Sequence, residues 1–337
     1  MQCSTAVAGE TTREEVILGF HTKQLLARGT EVALFDYALG AREVLGHEVR
    51  IFVPAQTDRI VDGVRKRFEQ HFDLVLYNDT RAIECDALYV IKRGRPGRIT
   101  DAIPELVHAF DDGSFPHGHR FAVVSDWVSR QARRKVDLPG GRLLKLPRVI
   151  KPSVVPHIVS LPEVDSDLRA ELGIPADGVV FGRHGGLGNF DLEFVQDAVR
   201  AVLEDRSDVW FVFLNVDRFC QDDRVVHLPE LVERGEIRRF VNTCDYMLHA
   251  HWYGETFGLS VAEFAFVGAP VVTFLGSPLK GHLDLLPDGM LLGYTNYENV
   301  YAHLAKLPRR TEPADTSVRS KYSRESVMAR FADTFLR

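Results

Sequence analysis

Short runs of β-branched and aromatic residues alternate with stretches of helical periodicity along the chain. Such alternation is typical of α/β folds, in which helices join parallel strands and cover the faces of the sheet. The predicted strands are Glu15–Phe20, His47–Pro54, Asp73–Asn78, Ala87–Lys92, Glu105–Phe110, Phe121–Trp127, Val179–Arg183, Val209–Val216, Arg224–Leu228, Tyr246–Ala250 and Pro270–Phe274. The pattern therefore predicts two α/β halves of similar size, each with its own parallel sheet.

Helical periodicity is clearest between the first two predicted strands. Apolar residues there recur at the spacing of one helix face, and Gly46 supplies a stop signal. Further helices are predicted at Asp191–Leu203 and Ser260–Val267. The stretch Ser323–Leu336 repeats apolar residues at fourfold spacing, which predicts a short amphipathic helix that closes the chain.

The length of 337 residues suits two domains better than one. Composition changes at 128–156, where basic residues cluster and prolines interrupt regular structure. We interpret this segment as a helix followed by an interdomain connection, which places one domain at 1–152, a second at 153–310 and a helical segment at 311–337. A solvated surface explains the local charge most simply; attraction to an anionic substrate or membrane surface is the alternative.

Charge and cysteine content exclude several classes of protein. The net charge of −6 argues against a general nucleic-acid binder, which usually carries a basic excess. The four cysteines are scattered without a CxxC pair, so we expect reduced thiols rather than a disulfide framework or zinc site. No apolar run is long enough to span a bilayer, and we expect a cytoplasmic protein.

The segment 244–274 carries the most chemical information. A predicted strand runs into a glycine-bearing loop, and a helix opens near Gly258. Free amides and the positive end of that helix suit a phosphate at Thr256–Ser260. Glu255 and Glu263 lie on either side of this position, where their carboxylates could hold the hydroxyls of a sugar and of a ribose. The alternative for an isolated pair at this spacing is that Glu255 caps the helix and Glu263 is a solvated helix residue.

This segment resembles the E-x7-E region of GT-B glycosyltransferases, especially the large retaining family that includes sucrose synthases and bacterial mannosyl- and glucosyltransferases. The shared elements are Asp245 at the strand entry, Glu255, Phe257, Gly258 and Leu259 of the E-x-F-G-L core, the second acid Glu263, and Gly268, Pro270, Val271 and Val272 of the G-x-P-V-V run. The resemblance implies that Glu255 contacts the donor sugar and that Glu263 binds the ribose. It also implies that the amides of Thr256, Phe257, Gly258 and Leu259 receive sugar hydroxyls and phosphate.

Two further positions agree with the family pattern. The strand that ends at Arg183 looks like the entry to the family's nucleotide-binding domain, which implies that Arg183 binds the donor diphosphate. An ordinary loop residue is the alternative reading of this arginine. The lysine that the family usually carries a few residues later is missing. Near the start, Gly29 resembles the family's glycine-rich loop, where the backbone approaches the donor phosphate.

The catalytic histidine that many of these enzymes carry in the first domain has three candidates. His108 lies within a predicted strand, where a buried histidine is the commoner outcome. His117 and His119 follow that strand in a loop, where this type of fold places active-site groups. We select His117.

The sequence contains no complete motif for binding a metal or a dinucleotide. Asp165 and Asp167 mimic a D-x-D motif but are interpreted as a helix cap. His249 and His251 could ligate a metal, but no third ligand of suitable spacing is evident in the sequence, so no metal site is expected. The glycines at 182–188 match neither GxGxxG nor a P-loop.

The resemblance implies an α/β protein of the GT-B fold, with two Rossmann-like domains whose parallel sheets face a central cleft. The N-terminal domain would bind the acceptor, the second domain would bind the nucleotide-sugar, and the C-terminal helix would pack back toward the first. We expect transfer of a hexose-type sugar from a UDP- or GDP-sugar with retention of configuration and without metal or cofactor. The acceptor stays open. Peripheral membrane contact is compatible with this expectation. The alternatives are a non-catalytic nucleotide-sugar-binding protein and an epimerase or phosphorylase of the same fold.

Overall fold

The first half of the chain folds around a sheet of parallel strands. The computed structural model describes residues 16–138 and 142–337. The first six strands are β1 (Ile17–His21), β2 (Glu48–Pro54), β3 (Asp73–Tyr77), β4 (Ala87–Lys92), β5 (Glu105–Ala109) and β6 (Arg120–Val123). The helices of this half are α1 (Gly29–Glu43), α2 (Asp62–Glu69) and α3 (Asp126–Gln131), with a 3-10 turn at Thr80–Ala82. The predicted strands of this half are present, with ends shifted by a few residues.

The basic segment after α3 differs from the prediction of a plain interdomain connection. It forms an antiparallel pair of strands, β7 (Arg133–Leu138) and β8 (Arg142–Val149). Alternation of polar and apolar residues in 135–138 is the strand signal, and the neighbouring prolines outweighed it in the sequence interpretation. The chain then adds β9 (Ser153–Val154) to the edge of the first sheet, whose order is β3-β2-β1-β4-β5-β6-β9.

The second half repeats this plan around six parallel strands. Its strands are β10 (Val179–Arg183), β11 (Val209–Leu214), β12 (Val225–Leu228), β13 (Tyr246–His249), β14 (Gly254–Glu255), β15 (Val271–Phe274), β16 (Leu279–Lys280) and β17 (Leu291–Tyr294). The main sheet has the order β12-β11-β10-β13-β15-β17, and β14 pairs separately with β16. The helices are α4 (Glu193–Asp205), α5 (Arg234–Thr243), α6 (Leu259–Phe266), α7 (Tyr297–Lys306), α8 (Val318–Lys321) and α9 (Arg324–Phe331), with a 3-10 turn at Gly281–Leu285 and a π-helical turn at Ala332–Leu336.

The C-terminal helix α9 packs on α1 of the first half. Phe331 and Phe335 join the apolar core that surrounds Tyr37 and Tyr89. A side chain at Gly40 would come within 2.6 Å of Met328, so glycine here allows the two helices to approach closely. Because α9 covers one side of α1 and the sheet covers the other, α1 is buried along most of its length.

An apolar core joins the two halves. Val123, Val124 and Val128 of the first half cluster with Phe257 and Val261 of the second. Each sheet brings the carboxyl ends of its strands to this junction, so the cleft expected from the sequence is formed. No helix in the described part of the chain is long and apolar enough to cross a membrane.

Candidate active site

A cavity of about 750 Å³ lies between the two halves. Its first wall comes from the loops after β1, β2 and β4, and its second wall is the segment Glu255–Leu259. Ligands in open α/β sheets bind at the carboxyl ends of the strands, and this volume falls in the range of pockets for organic ligands. The cavity is therefore the candidate active site.

Two glycines fix the segment that carries Glu255. Gly254 has a φ of +74°, and a Cβ there would lie 2.0 Å from the carbonyl oxygen of Leu279. Gly258 caps α6 in the left-handed conformation, with a φ of +90°. Since a side chain is strained at both positions, the sequence Gly-Glu-Thr-Phe-Gly sets how the strand β14 turns into α6.

The carboxylate of Glu255 faces two histidines. Oε1 lies 3.5 Å from Nδ1 of His251 and 4.0 Å from Nε2 of His249. Burial acts to raise the pKa of Glu255, but the two imidazoles outweigh it and lower the pKa to about 2. Glu255 is therefore an anion at every physiological pH.

A chain of hydrogen bonds orients His249. Its Nδ1 lies 2.9 Å from Oγ1 of Thr273, which in turn lies 3.2 Å from Nε2 of His282. Burial lowers the pKa of both histidines, so both are neutral. A lone pair on Nε2 of His249 would repel the Glu255 carboxylate, so the favoured tautomer places the proton on Nε2 and lets Thr273 donate to Nδ1.

Glu255 also supplies the third ligand that sequence spacing did not reveal for the His249–His251 pair. One ligand atom from each of the three residues lies within 4.8 Å of the others. Two imidazoles and a carboxylate are a common ligand set for zinc. The expectation that these histidines lack a third ligand is therefore wrong. His249 ends β13, His251 lies in the loop that follows, and Glu255 lies in β14, so the turn of this loop brings the three side chains together.

The segment Thr256–Leu259 lines the cavity, and the first half of the molecule holds it in place. The Ser125 hydroxyl donates to the carbonyl oxygen of Thr256 at 2.6 Å. Phe257 is buried and packs edge-on against His157, with ring centroids 4.9 Å apart. His157 also lines the cavity, and burial lowers its pKa to about 3. The amides at the start of α6 thus sit at the cavity on a rigid support.

Arg183 ends β10 as a buried cation without an ion pair among the described residues. Its side chain donates to the carbonyl oxygens of Gly186 and Asn215 at 3.0 and 3.4 Å. A Cβ on Gly185 would lie 3.2 Å from the guanidinium and 3.8 Å from Oγ of Ser260, so the cation lies close to the start of α6. Burial lowers the pKa of Arg183 to about 10, which leaves it charged. The carboxylates of Glu255 and Asp191 oppose this shift without forming an ion pair, and Arg183 itself does not line the cavity. A further anion near the start of α6 would offset the cost of burying this charge.

Glu263 lies in α6 behind the cavity wall. It is 1% exposed, and its oxygens lie 2.6 Å from Arg234 and 2.9 Å from Nε2 of His184. Burial acts to raise its pKa, but Arg234 and His184 lower it to about 2. Glu263 does not line the cavity, so a ribose would reach it only after this cluster rearranged.

Gly29 is the first residue of α1 and lines the cavity. A Cβ there would meet no protein atom within 4 Å. The fold therefore does not require a glycine at this position. Beside it, Glu31 accepts hydrogen bonds from Gln24 and Thr30, and burial raises its pKa.

The three candidate catalytic histidines lie outside the cavity lining. His108 is fully buried and 2.6 Å from the Tyr89 hydroxyl, and burial lowers its pKa to about 4. Nδ1 of His117 lies 2.6 Å from the carbonyl oxygen of Phe115. The histidines that do line the cavity are His21 and His157, which the sequence analysis did not select. The signal that could have identified His21 is its position at the end of the first strand.

The comparisons with known proteins concern the fold. Neither a protein-family model nor a curated protein matches the chain. Anabaena Alr3699/HepE, solved in complex with UDP and glucose, matches with a TM-score of 0.65 and 16% identity over 95% of this chain and 99% of that chain. WaaG, a glycosyltransferase involved in lipopolysaccharide biosynthesis, matches with a TM-score of 0.57 and 12% identity over 94% and 95% of the two chains.

A third match is a putative UDP-N-acetylglucosamine 2-epimerase from Listeria monocytogenes. It has a TM-score of 0.52 and 13% identity, over 96% of this chain and 93% of that chain. These matches span nearly the whole of each chain, and the two parallel sheets around one cleft agree with them. The chain has the GT-B fold.

Proposed function

We propose that the protein is a glycosyltransferase that moves a hexose-type sugar from a UDP- or GDP-sugar to an acceptor hydroxyl or other nucleophile, with retention of configuration. The observation that carries the proposal is the ionised carboxylate of Glu255 at the cavity, beside the amides that open α6 and close to the buried cation Arg183. The fold shared with HepE, which was solved with UDP and glucose, supports a nucleotide-sugar as the ligand.

The proposed donor contacts follow from charge. The diphosphate would lie against Arg183 and the first amides of α6, with Gly29 giving the phosphate room on the opposite wall. Glu255 would accept hydrogen bonds from the sugar hydroxyls, because an ionised carboxylate is a strong hydrogen-bond acceptor. Glu263 would contact the ribose only if its contacts with Arg234 and His184 were broken. With these contacts in place, Glu263 holds α6 in position.

The chemical step would depend on stabilising the leaving diphosphate. Negative charge builds on that group as the bond to the sugar breaks, and the fixed α6 amides would face this charge, with the buried Arg183 close to the start of the same helix. These fixed groups can do the work that a metal does in other transferases, so we propose metal-independent transfer. A catalytic role for His117 stays a prediction, since its side chain lies outside the cavity lining.

Nucleotide binding and turnover test the proposal together. We would measure thermal shifts with UDP, GDP, ADP and dTDP and their sugar conjugates. A ligand at a hundred times its dissociation constant stabilises the native state by about 2.7 kcal/mol. We expect UDP or GDP to raise the melting temperature of the wild type and to have no such effect on Arg183→Ala. The control Arg81→Ala, on an exposed turn outside the cavity, should show the same rise as the wild type. Absence of any response in the wild type would overturn the proposal.

Turnover separates the transferase from its alternatives. Glu255→Gln keeps the size of the side chain and removes the charge, so we expect loss of sugar transfer with donor binding retained; Glu298→Gln, on an exposed helix turn outside the cavity, is the matched control. The Listeria match favours an epimerase as the second candidate. Product analysis distinguishes the two, because an epimerase changes the donor sugar without any acceptor. Full activity of Glu255→Gln would contradict the assignment of this residue.

A further inference from the structure

Basic residues are concentrated on one wall of the cavity. The lining contains seven lysines and arginines and only two acids, Glu31 and Glu255. The whole chain carries a net charge of −6, so composition alone does not produce this excess. Every one of these cations comes from the first half, opposite the segment Glu255–Leu259.

Part of this charge is already neutralised within the protein. Lys92 pairs with Glu105 at 2.8 Å, and Arg93 and Arg98 each lie 3.2 Å from an aspartate. The remaining cations are exposed and have no ion pair in the part of the chain that the structure describes. These four are Lys23, Arg28, Arg59 and Arg95.

The sheet topology brings these four residues to one place. Lys23 and Arg28 follow β1, Arg59 follows β2 and Arg95 follows β4, and these three strands are neighbours in the sheet. A bridge between Leu25 and Ile60 ties the first two loops together. Glu31 partly offsets the charge of Arg28, but like charges in these adjacent loops repel one another, so the arrangement favours an anion in the cavity.

The donor does not account for all of this charge. Its diphosphate would have the α6 amides on the second wall, with the buried Arg183 near the start of that helix, and a hexose is neutral. Guanidinium groups bind phosphate and carboxylate in a fork geometry that a neutral sugar cannot match. We propose that the acceptor is a saccharide that carries phosphate or carboxylate groups, held by Lys23, Arg59 and Arg95. This inference rests on the proposed function, because it names the second substrate of the same site.

Calorimetry on the protein saturated with UDP, or with GDP where GDP is the nucleotide that binds, tests the inference. The probes are glucose, glucuronate and glucose 6-phosphate, with vesicles of phosphatidylglycerol and of phosphatidylcholine as separate arms. We expect both anionic saccharides to bind at least tenfold more tightly than glucose, with affinity that falls as salt is added. The double variant Arg59→Gln/Arg95→Gln should weaken this binding at least tenfold and leave UDP affinity unchanged. Arg81→Gln, outside the cavity, should change neither.

Each other outcome has a distinct meaning. Equal binding of the three sugars, or binding of none, would overturn the inference. A parallel loss of UDP affinity in the double variant would assign these cations to the donor and also overturn it. Binding to phosphatidylglycerol vesicles alone would replace the saccharide with a membrane surface. Failure of both UDP and GDP to bind the wild type would reject the proposed function instead, and the saccharide arms would then be measured on the free protein.

Discussion

A substitution at Gly29 can change ligand binding without destabilising the fold. A Cβ there meets no protein atom within 4 Å, although the residue lines the cavity. We expect Gly29→Ala to leave the free energy of unfolding unchanged or to raise it by up to about 1 kcal/mol, because alanine restricts the unfolded chain. The same change should weaken nucleotide binding, because the methyl group would occupy space beside the phosphate. Denaturation and nucleotide titration of one preparation measure both effects. Unchanged nucleotide affinity would contradict a phosphate position at this turn.

The cluster of His249, His251 and Glu255 leads to a prediction about metals. If transfer is metal-independent, EDTA leaves turnover unchanged. Added Zn²⁺ should inhibit, because the ion would bind two imidazoles and the carboxylate that the sugar hydroxyls need. Inhibition should weaken as the nucleotide-sugar concentration rises. His251→Ala removes one ligand and should reduce sensitivity to zinc at least tenfold, which steady-state inhibition curves measure. Loss of turnover in EDTA would contradict the metal-independent assignment.

At the scale of single residues, sequence analysis finds groups that local motifs mark. Glu255 and Gly29 both line the cavity, Glu255 in β14 just before α6 and Gly29 as the first residue of α1. The partners of Glu255 were not predicted, because His249 and His251 face it only after β13 and β14 take their places. The ion pair of Glu263 was not predicted for the same reason, because its partner Arg234 belongs to a different helix.

At the scale of elements, packing between α1 and α9 depends on Gly40. A Cβ there would lie 2.6 Å from Met328, although alanine is intrinsically the better helix former by about 1 kcal/mol. We expect Gly40→Ala to destabilise the protein by about 1–3 kcal/mol through overpacking. Met328→Ala should cost about 2–5 kcal/mol alone, and the double variant should cost less than the sum. Chemical denaturation of the four proteins measures this coupling. Strict additivity would show that the contact does not limit the approach of the helices.

Sequence patterns predicted elements best where local periodicity and burial agree. Strands β4 and β10 have the predicted bounds because continuous apolar runs between turn residues define them. The strand predicted at Phe121–Trp127 ends early, since the Ser125 side chain accepts a hydrogen bond from Val128 and starts α3. The antiparallel pair β7–β8 escaped prediction because prolines there argued for irregular structure.

At the scale of the whole molecule, buried histidines couple folding to pH. Burial lowers the pKa of His21 and His108 to about 4 and that of His157 and His282 to about 3. All four are neutral in the folded protein above those values, whereas unfolded histidines take up a proton near pH 6.5. Their contribution to stability is therefore complete above pH 6.5 and is lost as the pH falls toward 4. Asp36 acts in the opposite direction, because burial raises its pKa to about 6 and the folded state then binds the proton first.

These five groups give unfolding a net uptake of about three protons between pH 6 and 5, four from the histidines less one from Asp36. His117, His227 and His249, whose pKa burial also lowers, act in the same direction as the four histidines. We expect the free energy of unfolding to fall by on the order of 4 kcal/mol across that interval, at about 1.4 kcal/mol for each proton and pH unit. Urea denaturation at pH 7, 6 and 5 measures the slope. Asp36→Asn removes the group that binds a proton in the folded state, so the free energy of unfolding of this variant should fall more steeply with decreasing pH, by the equivalent of one proton. A slope near zero in the wild type would show that the four histidines are charged in the folded protein, and the hydrogen-bonded chain behind Glu255 would then need His282 as a cation.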